Sequence, residues 1–313
     1  MTAARFFTHP LGVIAASVAA TLLWGSAYPF IKLSYLHLHI GQAETFEQLL
    51  FAGYRFTLAG ILIFIYMTLR KESIRYQRGS GTQVAWIALL QTVLQYTFFY
   101  AGLSMSSGVV GAVIAGTISF FQILLAHFFY KNDKLSGTVG VGLIVGFMGL
   151  LILGLSKHGG ESGPLFSMGE LLLICASLFN AIANLLSRRA AASYSIPYIN
   201  GYQMLLGGLV LCAAASWKTG LFPFQFDWQA GLMLLHLAIV SALGFMLWNN
   251  VMKYNQVGSV SMYLFLIPVF GVIQSAVLLS ESLTYAVLAA LLLVSLGIII
   301  VNRSKGVLKA AKN

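Results

Sequence analysis

Residues 243–302 read LGFMLWNNVMKYNQVGSVSMYLFLIPVFGVIQSAVLLSESLTYAVLAALLLVSLGIIIVN, and their layout also occurs 148 residues upstream without a gap. The alignment places Asp133-Lys134-Leu135 on Glu281-Ser282-Leu283 and Gly149 on Gly297. Each copy has an aromatic-rich apolar helix, a short polar break, a second apolar helix, an acidic residue beside Leu, and a third helix that ends in Gly and β-branched residues. A repeat of this kind determines the architecture before any single residue is considered.

The composition indicates a membrane protein. Of the 313 residues, 59% are hydrophobic and 8% are charged, whereas a soluble domain has about 25% charged residues. Apolar windows of about 20 residues recur along the chain, which is the signature of transmembrane helices. The net charge of +10 comes from short basic clusters between these windows. Such clusters are typical of membrane topology signals, so the sequence predicts a lipid bilayer as partner and no nucleic acid.

The sequence predicts an all-α polytopic membrane protein with ten transmembrane helices. The predicted spans are 12–33, 47–69, 82–104, 107–130, 136–156, 168–188, 196–217, 229–252, 257–280 and 283–302. A spacer that contains Gly and Pro divides them. The predicted organisation is a first five-helix repeat at 12–156, a linker at 157–167, a second five-helix repeat at 168–303 and a cytoplasmic tail at 304–313.

The basic residues predict how the helices are oriented. With the N-terminus inside, fourteen of the eighteen Lys and Arg residues lie in cytoplasmic segments, and two, Lys157 and Lys218, lie outside. This bias favours cytoplasmic termini in the cell membrane. Because each repeat has an odd number of helices, the second repeat enters the membrane upside down. Inverted repeats are typical of secondary transporters, which move around a site near the bilayer midplane.

Motifs in both halves resemble those of a known family. The first half contains Trp24-Gly25-Ser26-Ala27 and Tyr54-Arg55, and the second contains Val257-Gly258-Ser259, Pro268-Val269-Phe270 and Ser280-Glu281-Ser282-Leu283. Over about residues 12–303 the chain resembles the drug/metabolite transporter superfamily, in its ten-helix branch with two EamA-type repeats. The resemblance implies ten helices, cytoplasmic termini and transport of a small metabolite without ATP. Members are commonly exporters of amino acids and related metabolites, and some are importers, so the direction does not carry over.

The first half departs from the family pattern at two positions. Phe120 occupies the position that matches Pro268, and Asp133 replaces the usual Glu. The resemblance therefore does not extend to a proline break in the fourth helix.

Polar and aromatic side chains within the spans are the candidate binding residues, because polar groups at membrane depth face a cavity or a partner. Gln91 and Gln95 lie one turn apart and are expected to share a helix face, as are Asn180 and Asn184. Their alternative role is interhelical hydrogen bonding, worth about 0.6 kcal/mol per contact. Amides and rings suit a small amphipathic solute, although rings also stack on cations or pack in the core. The predicted binding set is Trp24, Ser26, Tyr28, Arg55, Gln95, Tyr96, Tyr100, Asn180, Asn184, Trp248 and Tyr263.

Arg55 is the charged residue that we expect to matter most. Counting from Glu47 at 1.5 Å per residue places Arg55 about 12 Å into the membrane, where an Arg costs about 2.5–3.5 kcal/mol. A compensating contact is therefore expected. One candidate is Glu47, eight residues earlier near the same helix face, with help from water or another helix. The other is a carboxylate or phosphate on the substrate, which the fork-shaped guanidinium fits.

Other functional classes lack their motifs. The chain has no G-x-x-x-x-G-K-[ST] loop, no H-E-x-x-H and no Cys/His cluster, so we expect no catalytic residue, cofactor or metal. No Asp or Glu lies deep in a span, which leaves His236 as the nearest proton carrier. The sequence predicts a monomeric secondary transporter of an amino acid or related amphipathic solute, with efflux favoured. The alternatives are an importer of a small cationic or sugar-like metabolite and, with less support, an intramembrane enzyme or sensor.

Overall fold

The computed structural model of the chain describes residues 3–129, 137–155 and 166–310, and the described residues form helices without a β-strand. A short helix, Ala3–Thr8, comes first. The helices that follow are α1 (Pro10–His37), α2 (Thr45–Leu69), α3 (Gly81–Ser104), α4 (Gly108–Phe129), α5 (Gly137–Leu155), α6 (Met168–Ala190), α7 (Ile196–Thr219), α8 (Trp228–Tyr254), α9 (257–279) and α10 (Tyr285–Ala310). These bounds lie within four residues of the predicted spans, except that α10 continues to Ala310 through most of the predicted tail.

Seven of the described helices, α1–α4 and α6–α8, are long and apolar enough to cross a membrane. Shorter apolar stretches occur at Gly140–Gly149, Leu266–Leu279 and Tyr285–Gly297. Because a crossing needs about 20 residues, ten crossings stay a prediction. Of the predicted linker, residues 157–165 lie outside the described part of the chain, as do residues 130–136 with Asp133.

Apolar side chains cover the outside of the bundle as well as its core. Leu69, Phe128 and Val277 are more than 70% exposed, at 78%, 75% and 73%. A soluble monomer rarely exposes apolar patches larger than a few hundred Å². The outer surface is therefore suited to lipid.

Two helices are interrupted near their middle. Helix α4 breaks at Gly116, between Gly108–Ala115 and Thr117–Phe129. Helix α9 contains a 3₁₀ segment, Ser261–Phe265, before its longer part. The break in α4 thus occurs without a proline.

Helix α3 contains a π-helical segment, Ala88–Leu94. A π-helix forms i→i+5 hydrogen bonds, and residues four apart stay on roughly the same side of it. The shared face of Gln91 and Gln95 therefore stays a prediction, and the two side chains have different surroundings. Gln95 lines a central cavity, whereas Gln91 bonds to Asn184 on α6.

Helices α2 and α7 pack closely because glycines lie at their contact. A Cβ atom on Gly60 would lie 2.7 Å from the backbone nitrogen of Leu205, and one on Gly208 would lie 2.6 Å from the Oγ1 of Thr57. These are the same contact made twice, since Gly208 lies 148 residues after Gly60 and Leu205 lies 148 residues after Thr57. The repeat in sequence is therefore also a repeat in packing.

A second pair of contacts gives the direction of α2 and α7. Gly53 faces Cys212, and Gly201 faces Phe64, and these contacts again exchange under the offset of 148 residues. Because early residues of α2 contact late residues of α7, the two helices run antiparallel. Contacts that exchange in this way are characteristic of a two-fold axis between the partners.

Helices α5 and α10 repeat this arrangement. Gly149 lies against Ala290, and Gly297 lies against Gly142. The offset of 148 residues converts one contact into the other, and these helices too run antiparallel. Elsewhere α1 packs on α8 and α9, as α6 packs on α3 and α4. We call the contacts of α2 with α7 and of α5 with α10 the glycine seams.

The two ends of the bundle differ in charge. One end, which we call the basic end, carries Arg70, Lys71, Arg75, Arg78 and Arg188. At the opposite end, the Glu281 carboxylate accepts hydrogen bonds from the first backbone N–H groups of α4, at 2.8 and 2.7 Å. A carboxylate at a helix N-terminus is stabilising because the exposed N–H groups and the helix dipole favour negative charge.

Asp227 begins α8 at the same end as Glu281. Its carboxylate accepts a hydrogen bond from the backbone N–H of Ala230 at 2.8 Å, and the Nε2 of His37 lies 2.9 Å away. The backbone hydrogen bond and then His37 lower the pKa of the Asp227 carboxyl. The loop before α8 is thereby joined to the end of α1.

Candidate functional site

A cavity lies between the two halves of the chain, near the middle of the helices. The space between its lining atoms, including the part open to solvent, is about 640 Å³, and about 50 Å³ of it admits the centre of a water molecule. The lining consists of Trp24, Ala27, Tyr28, Arg55, Gln95, Tyr96, Phe99, Gly111, Ala115 and Ile118 from the first half, and Leu173, Ala176, Ser177, Asn180, Phe245, Leu264 and Ile267 from the second.

Arg55 is the charged residue among the described lining residues, and its side chain is held from two helices. It is 1% exposed. Its Nε donates to the carbonyl oxygen of Leu237 at 3.1 Å and to the Oγ of Ser241 at 2.8 Å, both on α8. Its Nη1 donates to the hydroxyl of Tyr100 on α3 at 3.2 Å. These three hydrogen bonds fix the guanidinium in place. Within the described chain no group accepts a hydrogen bond from Nη2, so this donor nitrogen stays free.

The ion pair between Arg55 and Glu47 that the sequence allowed is wrong. Eight residues of helix are about 12 Å long, a distance that the two side chains do not cover, whereas α8 passes directly beside Arg55. The acceptors from α3 and α8 are uncharged, and no Asp or Glu is among the described residues that line the cavity. The guanidinium therefore has hydrogen bonds but no counter-charge there, which is costly for a buried ion.

Aromatic rings surround the guanidinium. Its central carbon lies 5.1 Å from the ring centre of Phe56 and 5.4 Å from that of Tyr96. Tyr96 packs edge-on against Phe99 and Tyr100, with ring centres 5.7 and 6.1 Å apart. A desolvated cation–π contact is worth up to about 2 kcal/mol, so the rings offset part of the cost of burying the charge.

Two amides face the cavity from opposite halves. Gln95 is 6% exposed, and its Oε1 has no hydrogen-bond partner among the described residues. The Oδ1 of Asn180 accepts a hydrogen bond from the Nδ2 of Asn184 at 2.8 Å, and this bond leaves the NH₂ group of Asn180 available. The cavity thus offers an acceptor, an amide donor and a cationic donor.

Helix α1 forms one wall of the cavity through Trp24 and Tyr28. Between them, Gly25 allows α1 to approach α9, since a Cβ atom there would lie 2.8 Å from the Cβ of Phe270. The Trp24 ring packs edge-on against Phe245 and Trp248, with ring centres 5.2 and 6.0 Å apart. The Trp-Gly pair of the first sequence motif therefore positions an aromatic wall.

Six of the eleven predicted binding residues line the cavity and five do not. The six are Trp24, Tyr28, Arg55, Gln95, Tyr96 and Asn180. Ser26 bonds instead to the Nε2 of His236 at 3.0 Å. Tyr100 holds Arg55, Trp248 is buried behind Trp24, Tyr263 packs against the core, and Asn184 belongs to an amide cluster described next. Contact with a solute stays a prediction for all eleven.

The sequence did not indicate the apolar part of the cavity. Phe99, Ile118, Phe245 and Leu264 line it, but apolar residues occur on every face of these helices. Only the rotation of each helix selects the ones that face inward. Ser177 is different, because it lies one turn before Asn180 and the helical spacing identifies it.

Toward the basic end, a paired amide cluster of Gln91, Gln122 and Asn184 joins α3, α4 and α6. Asn184 accepts a hydrogen bond from the Nε2 of Gln91 at 3.0 Å and donates to the Oε1 of Gln122 at 3.0 Å. Gln122 in turn donates to the Oγ of Ser261 at 2.8 Å, and Gln91 accepts from Ser187 at 3.3 Å. Every side-chain amide group in this cluster has a partner, which is the arrangement expected of interhelical packing.

A second set, the half-paired amide cluster of Thr92, Asn200, Gln203 and Asn249, joins α3, α7 and α8. Thr92 donates to the Oε1 of Gln203 at 2.6 Å, and Asn249 donates to the Oδ1 of Asn200 at 2.8 Å. The Nδ2 of Asn200, the Nε2 of Gln203 and the Oδ1 of Asn249 have no partner among the described residues. All four side chains are at most 2% exposed.

The chain is similar to transporters over most of its length. The sequence profile of the EamA-like transporter family matches residues 10–155 and again residues 167–303. YvbV, an uncharacterized transporter of Bacillus subtilis, is 25% identical over 93% of this chain and 91% of its own. A probable amino-acid metabolite efflux pump of Escherichia coli is 23% identical over 87% of this chain and 88% of its own. An S-adenosylmethionine/S-adenosylhomocysteine transporter of Chlamydia muridarum is 24% identical over 80% of this chain and 76% of its own.

A solved structure has the same fold. It is a crystal structure of a protein 17% identical to this chain, with a TM-score of 0.66 over 92% of this chain and 96% of that one.

Proposed function

The chain belongs to the EamA-like transporter family, and from this premise we propose that it is a secondary transporter that exports an amino acid or a related amphipathic metabolite. Family membership makes it a multi-pass membrane transporter. The substrate class, the direction and the mechanism are inferred from the cavity and the packing.

The observation that carries the proposal is the unneutralised guanidinium of Arg55 in the cavity. Its Nη2 is free and no carboxylate is among the described lining residues. A solute carboxylate placed there supplies the missing counter-charge and accepts a charge-assisted hydrogen bond. Such a bond is stronger in a site that excludes water than on a surface. An anionic or zwitterionic solute is therefore favoured over a neutral one.

The remaining lining groups fit the other parts of an amino acid. The free Oε1 of Gln95 is an acceptor for an ammonium group, and the rings of Tyr96 and Phe99, which line the same cavity, offer a cation–π contact to it. The apolar second-half wall, with Phe245 and Leu264, packs against an aliphatic or aromatic side chain. Few polar groups at fixed positions in a mostly apolar cavity are typical of small-molecule sites.

The glycine seams support transport by alternating access. Equivalent helices of the two halves run antiparallel there, as expected if the second half is inverted in the membrane. Inverted halves place one site at the midplane and expose it to each side in turn. The basic end is assigned to the cytoplasm of the cell, because Lys and Arg accumulate in cytoplasmic segments.

The size of the cavity indicates that the helices move during binding. About 50 Å³ admits the centre of a water molecule, which is room for roughly four waters at about 10–15 Å³ each. An amino acid is larger, so its entry requires the cavity to widen. Separation of the two halves on one side provides that space.

The alternatives receive less support from the structure. Arg55 repels a cationic solute, and among the described lining residues no acidic group attracts one. Export is supported by the likeness to a probable amino-acid metabolite efflux pump. For an enzyme, no three His, Cys, Asp or Glu side chains in the described ranges lie close enough to hold a metal ion, and the relatives are transporters.

Transport by purified protein in sealed liposomes tests the proposal. Vesicles are loaded with single radiolabelled amino acids, and release is followed without ATP. We expect saturable release for at least one solute that carries a carboxylate and an apolar side chain, and faster exchange when the same solute is present outside. Release only in the presence of ATP, or equal release of amino acids and of their amides without a carboxylate, contradicts the proposal.

Thiol labelling tests the orientation. Ser73 lies in the loop at the basic end and Gln225 lies in the loop before α8, and both are exposed. In intact cells, an impermeant maleimide is expected to label a Gln225→Cys protein and to leave a Ser73→Cys protein unlabelled until the membrane is permeabilised. Labelling of both, or the reverse order, contradicts a cytoplasmic basic end.

A further inference from the structure

The half-paired amide cluster lies between the cavity and a hollow at the basic end. This hollow admits the centre of a water molecule over about 410 Å³, and the loop 72–77, the first turn of α7 and the last turns of α8 line it. On α8, Asn249 lies one turn after Phe245, which lines the cavity, and one turn before Lys253, which lines the hollow. The cavity and the hollow are thus about 12 Å apart along α8.

The other two helices place the cluster at the same depth. On α3, Thr92 lies about one turn before Tyr96, which lines the cavity. On α7, Asn200 lies one turn after Ile196, which lines the hollow, and Gln203 follows on the next turn. The cluster therefore lies next to the cavity on α3, next to the hollow on α7, and between the two on α8.

The hydrogen bonding of this cluster differs from that of the paired amide cluster, although both are buried. In the paired cluster every side-chain amide group has a partner. In the half-paired cluster two donors and one acceptor have none within the described chain. A buried polar group without a partner is costly, and in a membrane protein polar groups at depth face a partner or a water-filled cavity. Separation of α3, α7 and α8 admits water to these groups and removes the cost.

We infer that the half-paired amide cluster is the closed inner exit of the cavity, a polar passage between α3, α7 and α8 that opens toward the basic end. This inference rests on the proposed transport function. The passage has amide donors and acceptors and no charge, so it admits a small zwitterion without retaining it. The paired amide cluster, by contrast, stays closed and joins its helices.

The repeat supports this assignment. Gln203 lies 148 residues after Arg55, and Trp248 lies 148 residues after Tyr100, which holds Arg55. In an inverted-repeat transporter the two halves exchange their conformations as access alternates. When the halves exchange conformations, Gln203 then lines the solute path on the inner side, as Arg55 lines the cavity in this structure.

Single cysteines test the passage in the full-length protein. Cys175 and Cys212 are first replaced by Ser, and one Cys is then introduced at Gln203, at Asn249, at Gln122 in the paired cluster, or at Gln95 in the cavity. The probe is (2-sulfonatoethyl) methanethiosulfonate, added to vesicles with the basic end outward. We expect Gln203→Cys and Asn249→Cys to react at least tenfold faster than Gln122→Cys, although all three positions are at most 2% exposed. Gln203→Cys and Asn249→Cys are independent tests, so one of them is sufficient if the other does not fold.

The outcomes distinguish a failure of the passage inference from a failure of the transport proposal. If the probe reaches Gln95→Cys from the basic end while Gln122→Cys reacts as fast as Gln203→Cys or Asn249→Cys, the passage is elsewhere and the transport proposal stands. If Gln95→Cys reacts from neither end, both proposals are overturned.

An apolar replacement of the Asn200–Asn249 pair is the second test. The double variant Asn200→Leu, Asn249→Leu removes both partners of one hydrogen bond together, which is expected to leave the melting temperature unchanged or raised. It should slow labelling of Gln203→Cys from the basic end at least tenfold, because the passage no longer attracts water. Labelling at the original rate in a folded double variant overturns the inference.

Discussion

The replacement of Arg55 by Lys tests whether the free guanidinium nitrogen binds the solute. Arg55 uses Nε and Nη1 to donate three hydrogen bonds, to Leu237, Ser241 and Tyr100, and keeps Nη2 for the cavity. A Lys ammonium has three N–H groups and no fork. If it satisfies the three protein acceptors, no donor is left for the solute.

The expected effect follows from the loss of one charged hydrogen bond. Such a bond contributes about 1.5–3 kcal/mol, and each 1.4 kcal/mol is a tenfold change in affinity. We therefore expect the apparent KM of the Arg55→Lys transporter to rise about 10- to 150-fold. The maximal rate should change less, because the positive charge is retained.

The assay is release of the best amino acid from liposomes, with the concentration varied to obtain KM. Ser241→Ala is the matched control, since it removes one acceptor of Nε and leaves Nη2 free; its KM should rise only a few-fold. Both variants are compared by size-exclusion chromatography before reconstitution. A well-folded Arg55→Lys protein with an unchanged KM would refute the role of Nη2. If Arg55→Lys does not fold while Ser241→Ala does, Arg55 stabilises the fold and the role of Nη2 in solute binding is refuted.

Three further predictions concern stability, each measured as the thermal unfolding of purified protein in detergent. Gly60→Ala should destabilise the protein by about 1–3 kcal/mol, because its Cβ would lie 2.7 Å from the facing backbone. The control Gly231→Ala has no atom within 4 Å of its Cβ, so it should be neutral or stabilise the protein by about 0.5–1 kcal/mol. Equal melting temperatures of the two variants would contradict the close packing at Gly60. Glu281→Gln should destabilise by about 0.3–1 kcal/mol through weaker bonds to the start of α4, and a variant as stable as the parent would contradict that role. The lowered pKa of Asp227 means that its stabilisation is present at neutral pH and is lost as the pH falls through that pKa, so the melting temperatures of the parent and Asp227→Asn should converge in acid; a difference that persists there would assign the effect to another group.

Much of the fold follows from the sequence because the repeat and the apolar spans are long-range patterns. The resemblance to the drug/metabolite transporter superfamily is confirmed by the match of the EamA-like profile to both halves. The offset of 148 residues also holds in places that the sequence did not indicate, such as Gly60 and Gly208. The π-helical segment of α3 was not predictable, since residues 88–94 are as apolar and helix-compatible as their neighbours.

The site was less predictable than the fold. Depth in the membrane identified Arg55, because a charge there is rare and costly. The partner of Arg55 was not predictable from its own helix, since Leu237 and Ser241 are some 180 residues away in the chain, at separations of 182 and 186. Asn184 and Trp248 were predicted to face the solute but lie in buried contacts. Asn184 shares a helix face with Asn180 but lies one turn farther toward the basic end, and Trp248 packs behind Trp24.

The glycine seams have a consequence for the direction of transport. In the proposed transport cycle, the exchange of the halves converts each seam contact into its partner contact, so the set of seam contacts is the same whether the cavity opens outward or inward. On that proposal the seams are the pivot of the motion, and damage there lowers the amount of working protein without favouring uptake over release. A preference for one direction then has to arise at positions where the halves differ in sequence, as they do at Arg55 and Gln203.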